Sequence, residues 1–290
     1  MHEIPLQDEE FRNFQKLIGE LSGINLPDHK KALLSYRLLK RVRHYELETY
    51  GQYYKLILSP GREKEKQLML DLITTNETYF FREKDHFDFL RDKILPAHDP
   101  VEPLWVWSAA CSSGEEAYST ALVLAEFSPR LNWRVLGSDI SDRILKRARA
   151  GVYPMEFRKG SIPRVLLKKY GLRGVRSQEG YFTFTEEIRD RVFFKQVNLI
   201  KPLDVSGPFQ VVFLRNALIY FNRSMQKRII ENIRPLIQPG GYLILGHSES
   251  LMGLAQGFQS VRPSIYKRTG NSKTDRAGEK FAGASGEGAA

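Results

Sequence analysis

The sequence predicts an α/β protein in which an all-helical N-terminal domain precedes a doubly wound, mostly parallel sheet. Two observations lead to this fold class. Residues 1–95 carry apolar side chains at helical spacing, whereas the chain beyond residue 104 alternates short apolar runs with helical stretches. Such alternation of strands and helices is typical of a parallel sheet that is covered by helices.

The N-terminal domain is predicted over residues 1–95. Its first helix follows from apolar residues at 3.6-residue spacing between Phe11 and Leu21, and it ends before Gly23. Asp28 is the predicted N-cap of the second helix, because a side-chain oxygen at that position can accept from the first free backbone N–H groups. The second and later helices are expected over about 28–45, 50–58, 63–73 and 84–95.

The second domain is predicted over residues 96–268, beginning with a proline-rich linker. Its strands are expected over 104–109, 133–137, 209–214 and 242–245. Its helices are expected over 115–127, 142–150 and 224–237. The alternation fails at about 160–196, where the aromatic runs 181–184 and 191–194 predict a small antiparallel hairpin insertion. The tail, 269–290, is rich in Gly, Ala, Ser and charge, and we expect it to be disordered.

Composition narrows the class of protein. The mean hydropathy of −0.38 and the lack of a long apolar run argue against a membrane-inserted protein. One cysteine, Cys111, excludes an internal disulfide or a cysteine-based zinc site, and no metal is expected. The acidic start of the chain does not resemble a signal peptide, so a cytoplasmic location is expected. Residues 1–100 carry 16 basic and 17 acidic side chains and the other 190 carry 28 and 17, which indicates an acidic partner for the second part.

Two segments carry residues suited to ligand binding. The first predicted strand leads through residues 108–114 (SAACSSG) into a helix that begins with Glu115 and Glu116. Small residues at such a turn let a ligand approach the backbone, but two carboxylates at a helix start disfavour a pyrophosphate and suit a cationic group. Asp139 ends the second strand, where such sheets hold ribose hydroxyls. A sugar-bearing ligand with a cationic group matches S-adenosylmethionine, although acidic residues also stabilise helix N-termini without any ligand.

Six ordered motifs resemble the chemotaxis receptor glutamate methyltransferases of the CheR type. They are TNETYFFRE at 75–83, WSAACSSGEEAYS at 107–119, SDI at 138–140, NL at 198–199, RNALIYF at 215–221 and GHSE at 246–249. The resemblance spans about residues 8–268. It implies the S-adenosylmethionine-dependent methyltransferase fold and transfer of a methyl group to glutamate side chains of methyl-accepting chemotaxis receptors.

The resemblance also implies site residues. Positions that match the family's cofactor-binding residues are Asn76, Thr78, Arg82, Glu115, Asp139, Asn198, Leu199, Arg215 and Asn216. Arg82 and Tyr220 are the predicted catalytic residues: Arg82 pairs with either the methionyl carboxylate or the incoming glutamate, and Tyr220 lines the path of the methyl group. Some relatives tether to a receptor peptide through a Gly-x-Gly turn in the insertion, but here Arg176 stands where the second glycine would fall.

The implied reaction needs little proton transfer, because a glutamate with a pKa of about 4.3 is already ionised at neutral pH. Positioning and exclusion of water then carry catalysis. Two alternatives come from other classes of protein. A nucleic-acid methyltransferase would fit the basic charge, although no basic platform with interleaved aromatics is evident. A non-enzymatic adaptor that senses S-adenosylmethionine or a nucleotide would use the same fold.

A basic stripe on the second helix predicts where substrate docks. At 100° per residue, Lys30, Arg37, Arg41 and His44 fall within about 60° of each other. Leu34, Leu38 and Val42 lie to one side, so the helix can pack on its domain while it presents charge outward. We expect this stripe to dock the acidic methylation helices of receptors, with the enzyme acting as a monomer and without nucleic acid.

Overall fold

The N-terminal part of the computed structural model is helical, as predicted; the structure describes residues 4–155 and 162–270. Its helices are α1 (Asp8–Ser22), α2 (Lys31–His44), α3 (Tyr50–Leu58) and α4 (Glu63–Ile73). Their apolar faces meet in one core that includes Phe14, Leu38 and Tyr53. Two helices, α3 and α4, have the bounds that the sequence predicts.

The start of α2 differs from the prediction. Asp28 begins a short 3-10 turn, Asp28–Lys30, rather than capping the helix. Its carboxylate accepts a hydrogen bond from Gln15 Nε2 at 3.0 Å, so the side chain ties the turn to α1 instead. The preceding loop begins at Gly23, whose φ of 74° suits glycine. A Cβ at Gly23 would lie 2.6 Å from Cγ2 of Ile200, because α1 ends against the second domain.

The predicted helix over 84–95 has three parts: α5 (Lys84–Phe89), a π-helical turn (Leu90–Ile94) and α6 (Leu95–Ala97). Pro96 lies inside α6, so the helical segment continues two residues beyond the predicted end at residue 95. Phe87, Leu90 and Ile94 pack into the core of the sheet, and not into that of the helices. The division of the chain at residue 95 stays a prediction.

A seven-stranded sheet forms the centre of the second domain, in the order β6-β2-β1-β7-β8-β10-β9. The strands from β6 to β8 run parallel, and β10 and β9 add an antiparallel edge. Their bounds are β1 Leu104–Ser108, β2 Trp133–Asp139, β6 Val192–Gln196, β7 Phe209–Leu214, β8 Ile237–Leu245, β9 Phe258–Arg262 and β10 Ile265–Arg268. The doubly wound, mostly parallel sheet is thereby confirmed.

Helices connect and cover these strands. They are α7 (Glu115–Phe127), α8 (Asp142–Ala150), α9 (Arg164–Tyr170), α10 (Glu186–Arg189) and α11 (Arg223–Ile233). A core lies on each face of the sheet, one around Val106 and Phe213 and the other around Trp107 and Val212. The strand order reverses between β1 and β7, and the carboxyl ends of strands at such a reversal are where open α/β sheets bind ligands.

The insertion is confirmed as a small antiparallel sheet, but its membership differs. It contains β3 (Tyr153–Pro154), β5 (Tyr181–Phe184) and β4 (Gly171–Arg173), in that order across the sheet. The prediction that 191–194 belong to it is wrong, because this segment lies in β6 and pairs in parallel with β2. Because Gly137 in β2 has no side chain, the Phe194 ring of β6 can pack against it; a Cβ at Gly137 would lie 2.6 Å from that ring.

Two further observations complete the fold. No helix in the described ranges is both long enough and apolar enough to cross a membrane. The tail 269–290 is predicted to be disordered. Its residues from 271 onward lie outside the described part of the chain, so this stays a prediction.

Candidate active site

A cavity of about 500 Å³ lies between the helical domain and the carboxyl ends of β1 and β7. This volume is in the usual range for small-molecule sites. The predicted residues that line it are Lys30, Asn76, Thr78, Arg82, Asp139, Asn198, Leu199, Arg215, Asn216 and Tyr220. Glu115, Arg37, Arg41 and His44 are not among its lining residues. The sheet edge therefore gathers nearly all the predicted cofactor and catalytic positions around one space.

The helical domain supplies one wall of the cavity, through the loop between α1 and α2. The backbone N–H of Asn25 donates to the carbonyl of Tyr220 at 2.8 Å, and Ile24 forms an isolated β-bridge with Phe221. The side chain of Asn198 donates to the carbonyl of Leu21, also at 2.8 Å. The site is therefore built from both domains.

Asp139 is placed to accept hydrogen bonds from a ligand. Its Oδ1 accepts from the backbone N–H of Ser141 and its Oδ2 from that of Ser112, each at 3.0 Å. A carboxylate offers about four acceptor positions, so Asp139 can also accept from a ligand hydroxyl. Burial raises the pKa of Asp139, while backbone donors, those of Ser141 and Ser112 first, favour its ionised form.

The junction segment 75–83 lines the cavity with residues 75–79 and 82, and it is held by the turn after β1 and by α7. Ser112 Oγ donates to the carbonyl of Asn76 at 3.1 Å, and Ser119 Oγ accepts from the N–H of Phe81 at 3.0 Å. Arg82 donates to the carbonyl of Glu77 at 2.9 Å, and its guanidinium lies over the ring of Tyr79. No carboxylate in the described ranges pairs with Arg82.

Arg215 is the centre of a buried charge network. Its side chain is 1% exposed and lies 3.1 Å from Glu83 Oε2 and 3.0 Å from Glu116 Oε2. It also donates to the carbonyl of Arg82. Burial would raise the pKa of Glu83, but Arg215 and then Asn216 outweigh it and lower the pKa. The network fixes the junction segment against the end of β7.

Glu116, rather than Glu115, lies on the cavity. Ser113 Oγ donates to Glu115 at 2.6 Å and holds its carboxylate away from the lining residues. Glu116 accepts from Ser108 Oγ at 2.6 Å and pairs with Arg215. Successive helical residues point about 100° apart, and of the two glutamates Glu116 is the one among the lining residues. A cofactor role for Glu115 stays a prediction. Glu116 was not predicted as a site residue, although it stands beside Glu115 at the start of the same helix.

The basic stripe on α2 is not presented as one outward surface. Arg41 forms an ion pair with Glu65, and Arg37 donates to the carbonyls of Ile73 and Thr74. The side chains that α2 does expose include Tyr36, Lys40, Arg43 and His44, of which Tyr36 is 80% exposed. Leu34, Leu38 and Val42 are buried, as predicted. The sequence could not separate the two sets, because the partners of Arg37 and Arg41 lie on α4 and just beyond it.

One group in the described ranges could offer three metal-ligand atoms, from Glu83, His86 and His247, all within 4.8 Å of one another. Glu83 in this group is already paired with Arg215. The expectation of no metal stays a prediction.

Comparisons with known proteins agree with this geometry. Residues 76–266 match the family described as "CheR methyltransferase, SAM binding domain", and residues 9–74 match "CheR methyltransferase, all-alpha domain". The chain is 36% identical over 267 residues to the chemotaxis protein methyltransferase of Salmonella typhimurium, covering 91% of each chain. It is 37% identical over 266 residues to that of Escherichia coli, covering 91% of this chain and 92% of the relative.

A third relative, chemotaxis protein methyltransferase 2 of Pseudomonas aeruginosa, is 36% identical over 264 residues, covering 89% of this chain and 92% of the relative. The two matched domains together span most of the chain. The all-alpha match covers the helical domain, and the SAM-binding match that follows it covers the sheet domain. The chain therefore belongs to the CheR methyltransferase family and is an S-adenosylmethionine-dependent methyltransferase.

Proposed function

We propose that the enzyme methylates glutamate side chains of methyl-accepting chemotaxis receptors and forms glutamyl methyl esters during chemotactic adaptation. The relatives named above are chemotaxis protein methyltransferases and match about nine-tenths of the chain. The proposal also keeps the predicted cytoplasmic location and the predicted monomer.

The cavity suits S-adenosylmethionine, which supplies a methyl group on a sulfonium when it is bound. Asp139, an acceptor at the end of β2 that lines the cavity, suits the ribose hydroxyls. Asn198 and Leu199 line the cavity where they would meet the adenine. Asn76, Thr78 and Asn216 complete the proposed cofactor contacts, and the Arg215–Glu116 pair keeps the floor of the cavity in place.

The observation that carries the glutamate assignment is a pair of cations on the cavity wall. Of the three basic side chains among the described lining residues, Arg215 is paired with Glu83 and Glu116. Lys30 and Arg82 have no carboxylate partner in the same ranges. Two anionic groups must be accommodated, the methionyl carboxylate and the glutamate that is methylated. The positive charges of Lys30 and Arg82 would favour binding of both groups.

No general base is required, because a glutamate is ionised at neutral pH. None of the described residues that line the cavity is a histidine. Tyr220 lines it, and Asn25 holds its backbone, so its ring can orient the incoming carboxylate. The helical domain supplies one wall of the site, and exclusion of water once both reactants are bound would strengthen the charge interactions within it.

Docking of the receptor is assigned to the exposed face of α2. Lys40, Arg43 and His44 are exposed along this face, and Lys30 lies at its start and on the cavity. An acidic receptor helix that lies along α2 would therefore bring its glutamates towards the cavity. Charge on this face would steer and align the receptor helix.

The test is transfer of a labelled methyl group to receptor-rich membranes, with release of the label by mild base as the sign of an ester. Asp139→Asn provides the enzyme control, and a receptor whose methylation-region glutamates are replaced by alanine provides the substrate control. Base-labile label on the native receptor alone supports the proposal. Label on RNA that resists base would instead indicate a nucleic-acid substrate, and cofactor binding without transfer to any receptor would contradict the proposed substrate.

A further inference from the structure

Glu249 forms a clasp between the ends of two neighbouring strands. Its Oε2 accepts from the backbone N–H of Gly246 at 2.7 Å and from that of Asn216 at 2.8 Å. Its Oε1 accepts from the N–H of Ile219 at 3.3 Å. The N–H of Glu249 donates to the carbonyl of Gly246 at 2.9 Å, which closes the turn after β8. One carboxylate thus joins the loop after β8 to the loop after β7.

The clasped loop after β7 is the one that carries the site. Arg215, Asn216 and Tyr220 all line the cavity, whereas Glu249 and Gly246 do not. Asn216 has a φ of 54°, in the left-handed region that a side chain adopts at a cost. Glu249 holds its backbone, and Glu83 accepts from its side-chain Nδ2 at 3.1 Å. The strained backbone is therefore held from two sides.

Gly246 makes the clasp sterically possible. A Cβ at this position would lie 2.5 Å from Asn216 Nδ2, 2.9 Å from Glu249 Oε2 and 3.0 Å from the backbone nitrogen of Asn216. The first two distances are shorter than real Cβ contacts, and the third is at the tight end of their range. The loop after β7 can approach the turn this closely only because the side chain is absent.

We propose that Glu249 is a positioning residue for the cofactor site, which presets Asn216 and the Ile219–Tyr220 backbone before the ligand binds. This inference rests on the proposed function. A carboxylate is required because it only accepts hydrogen bonds. A glutamine side chain has one oxygen and one NH₂ group. In one orientation the NH₂ group would face the N–H of Ile219, and in the other it would face the N–H groups of Asn216 and Gly246. In either case two hydrogen-bond donors would face each other.

The alternative is that Glu249 only stabilises the fold, and Glu65 provides a matched control for it. Both residues are 7% exposed, and both carboxylates accept several hydrogen bonds. Glu65 lies between α2, α3 and α4, and it does not line the cavity. Glu65→Gln is therefore expected to lower the melting temperature without a change in cofactor affinity.

The experiment measures binding of S-adenosylmethionine by calorimetry, well below the melting temperature of each variant. We expect Glu249→Gln and Gly246→Ala to weaken binding at least tenfold, equivalent to about 1.4 kcal/mol. Glu65→Gln should bind within twofold of wild type. Affinity in folded Glu249→Gln within twofold of wild type would overturn the inference, as would equal losses in all three variants. If Glu249→Gln does not fold, the affinity of Gly246→Ala is judged instead: a tenfold loss supports the inference, and binding within twofold of wild type overturns it. Failure of the wild type itself to bind the cofactor would count against the proposed function instead.

Discussion

The guanidinium of Arg41 and the carboxylate of Glu65 form a bidentate ion pair, with Nε and Nη2 each 2.8 Å from one carboxylate oxygen. The hydroxyls of Tyr45 and Tyr53 donate to the same carboxylate. The Arg41 side chain is 16% exposed and that of Glu65 is 7% exposed. The pair joins α2 to α4, so one of the basic residues of α2 is committed to holding the helical domain together.

Arg41→Ala is expected to destabilise the protein, because it leaves the buried carboxylate of Glu65 without its cation. Breaking such a pair typically costs about 3–5 kcal/mol. Thermal or denaturant unfolding measures the loss. Lys40→Ala, next in the chain but exposed, is the control and should unfold as the wild type does. Equal stability of the two variants would contradict a structural role for Arg41.

The exposed charges of α2 should affect the receptor and not the fold. We expect Lys40→Glu with Arg43→Glu to raise the KM for receptor, because like charges would then face an acidic helix. Cofactor affinity and melting temperature should stay at wild-type values. Added salt should weaken docking of the wild type more than that of the double variant, since exposed charges are screened beyond about 8–10 Å. Normal receptor methylation by the double variant at low salt would show that the exposed face of α2 does not dock the receptor.

Asp139→Asn should weaken binding of S-adenosylmethionine by about 1–3 kcal/mol, because the ribose hydroxyls lose an ionised acceptor. Calorimetry on the folded variant measures the change. Asp142→Asn, on the nearby exposed start of α8, is a suitable control and should bind normally. Unchanged affinity in Asp139→Asn would place the ribose elsewhere.

Arg82→Ala is expected to lower kcat/KM at least tenfold, because a cation without a carboxylate partner on the cavity wall is lost. The melting temperature should stay within about 2–4 °C of wild type, the shift that about 1 kcal/mol produces in a domain of 150–250 residues. The same measurements decide the role of Arg82. A raised KM for S-adenosylmethionine assigns it to the cofactor, and a raised KM for receptor assigns it to the substrate. Activity and stability lost in equal proportion would make Arg82 structural.

His86 should make stability depend on pH. Burial first, and then Arg215, lower its pKa to about 4, although Asp85 and Glu83 oppose the shift. The unfolded chain takes up a proton near pH 6.5, whereas the folded protein does so only near pH 4. The free energy of unfolding therefore falls as the pH drops between these values, by up to about 3 kcal/mol.

His86→Gln tests this dependence, because it removes the titration and keeps a partner for Ser264, which lies 2.8 Å from His86 Nε2. Chemical denaturation at several values between pH 4 and 6.5 measures the slope. The free energy of unfolding of the variant should fall less over this interval than that of the wild type, because His86 no longer titrates. Some dependence on pH should remain, since the neighbouring carboxylates titrate in both proteins. Parallel slopes would mean that His86 is protonated in the folded state.

The sequence predicted most of the fold because its signals are local. The helix Asp142–Ala150 has the predicted bounds, and Ser141 caps it through a hydrogen bond from the N–H of Ile144. Strand Phe209–Leu214 also has its predicted bounds, since five of its six residues are apolar and it lies in the middle of the sheet. Capping and hydrophobic runs can be recognised without any knowledge of tertiary contacts.

The errors concern relationships between distant parts of the chain. Arg41 and Glu65 are 24 residues apart, so an outward charge could not be distinguished from a buried pair. The rotation of α7 against the sheet decides which of Glu115 and Glu116 faces the cavity, and no local pattern encodes that rotation. The segment 191–194 has the same aromatic character in a hairpin or in a parallel strand. Its parallel pairing with β2, together with the fit of Phe194 against Gly137, distinguishes the two.

If receptors are the substrate, as proposed, the contacts between the two domains limit how the choice of receptor can be re-engineered. Leu21, Gly23 and Asn25 contact Asn198, Ile200 and Tyr220 in the sheet domain through hydrogen bonds or close packing. A chimera that takes its helical domain from another family member would exchange the exposed face of α2 together with one wall of the cavity. Grafting only the exposed residues of α2 leaves these contacts intact. Surface grafts are therefore the better route to altered specificity, and whole-domain swaps would need matched residues on both sides of the joint.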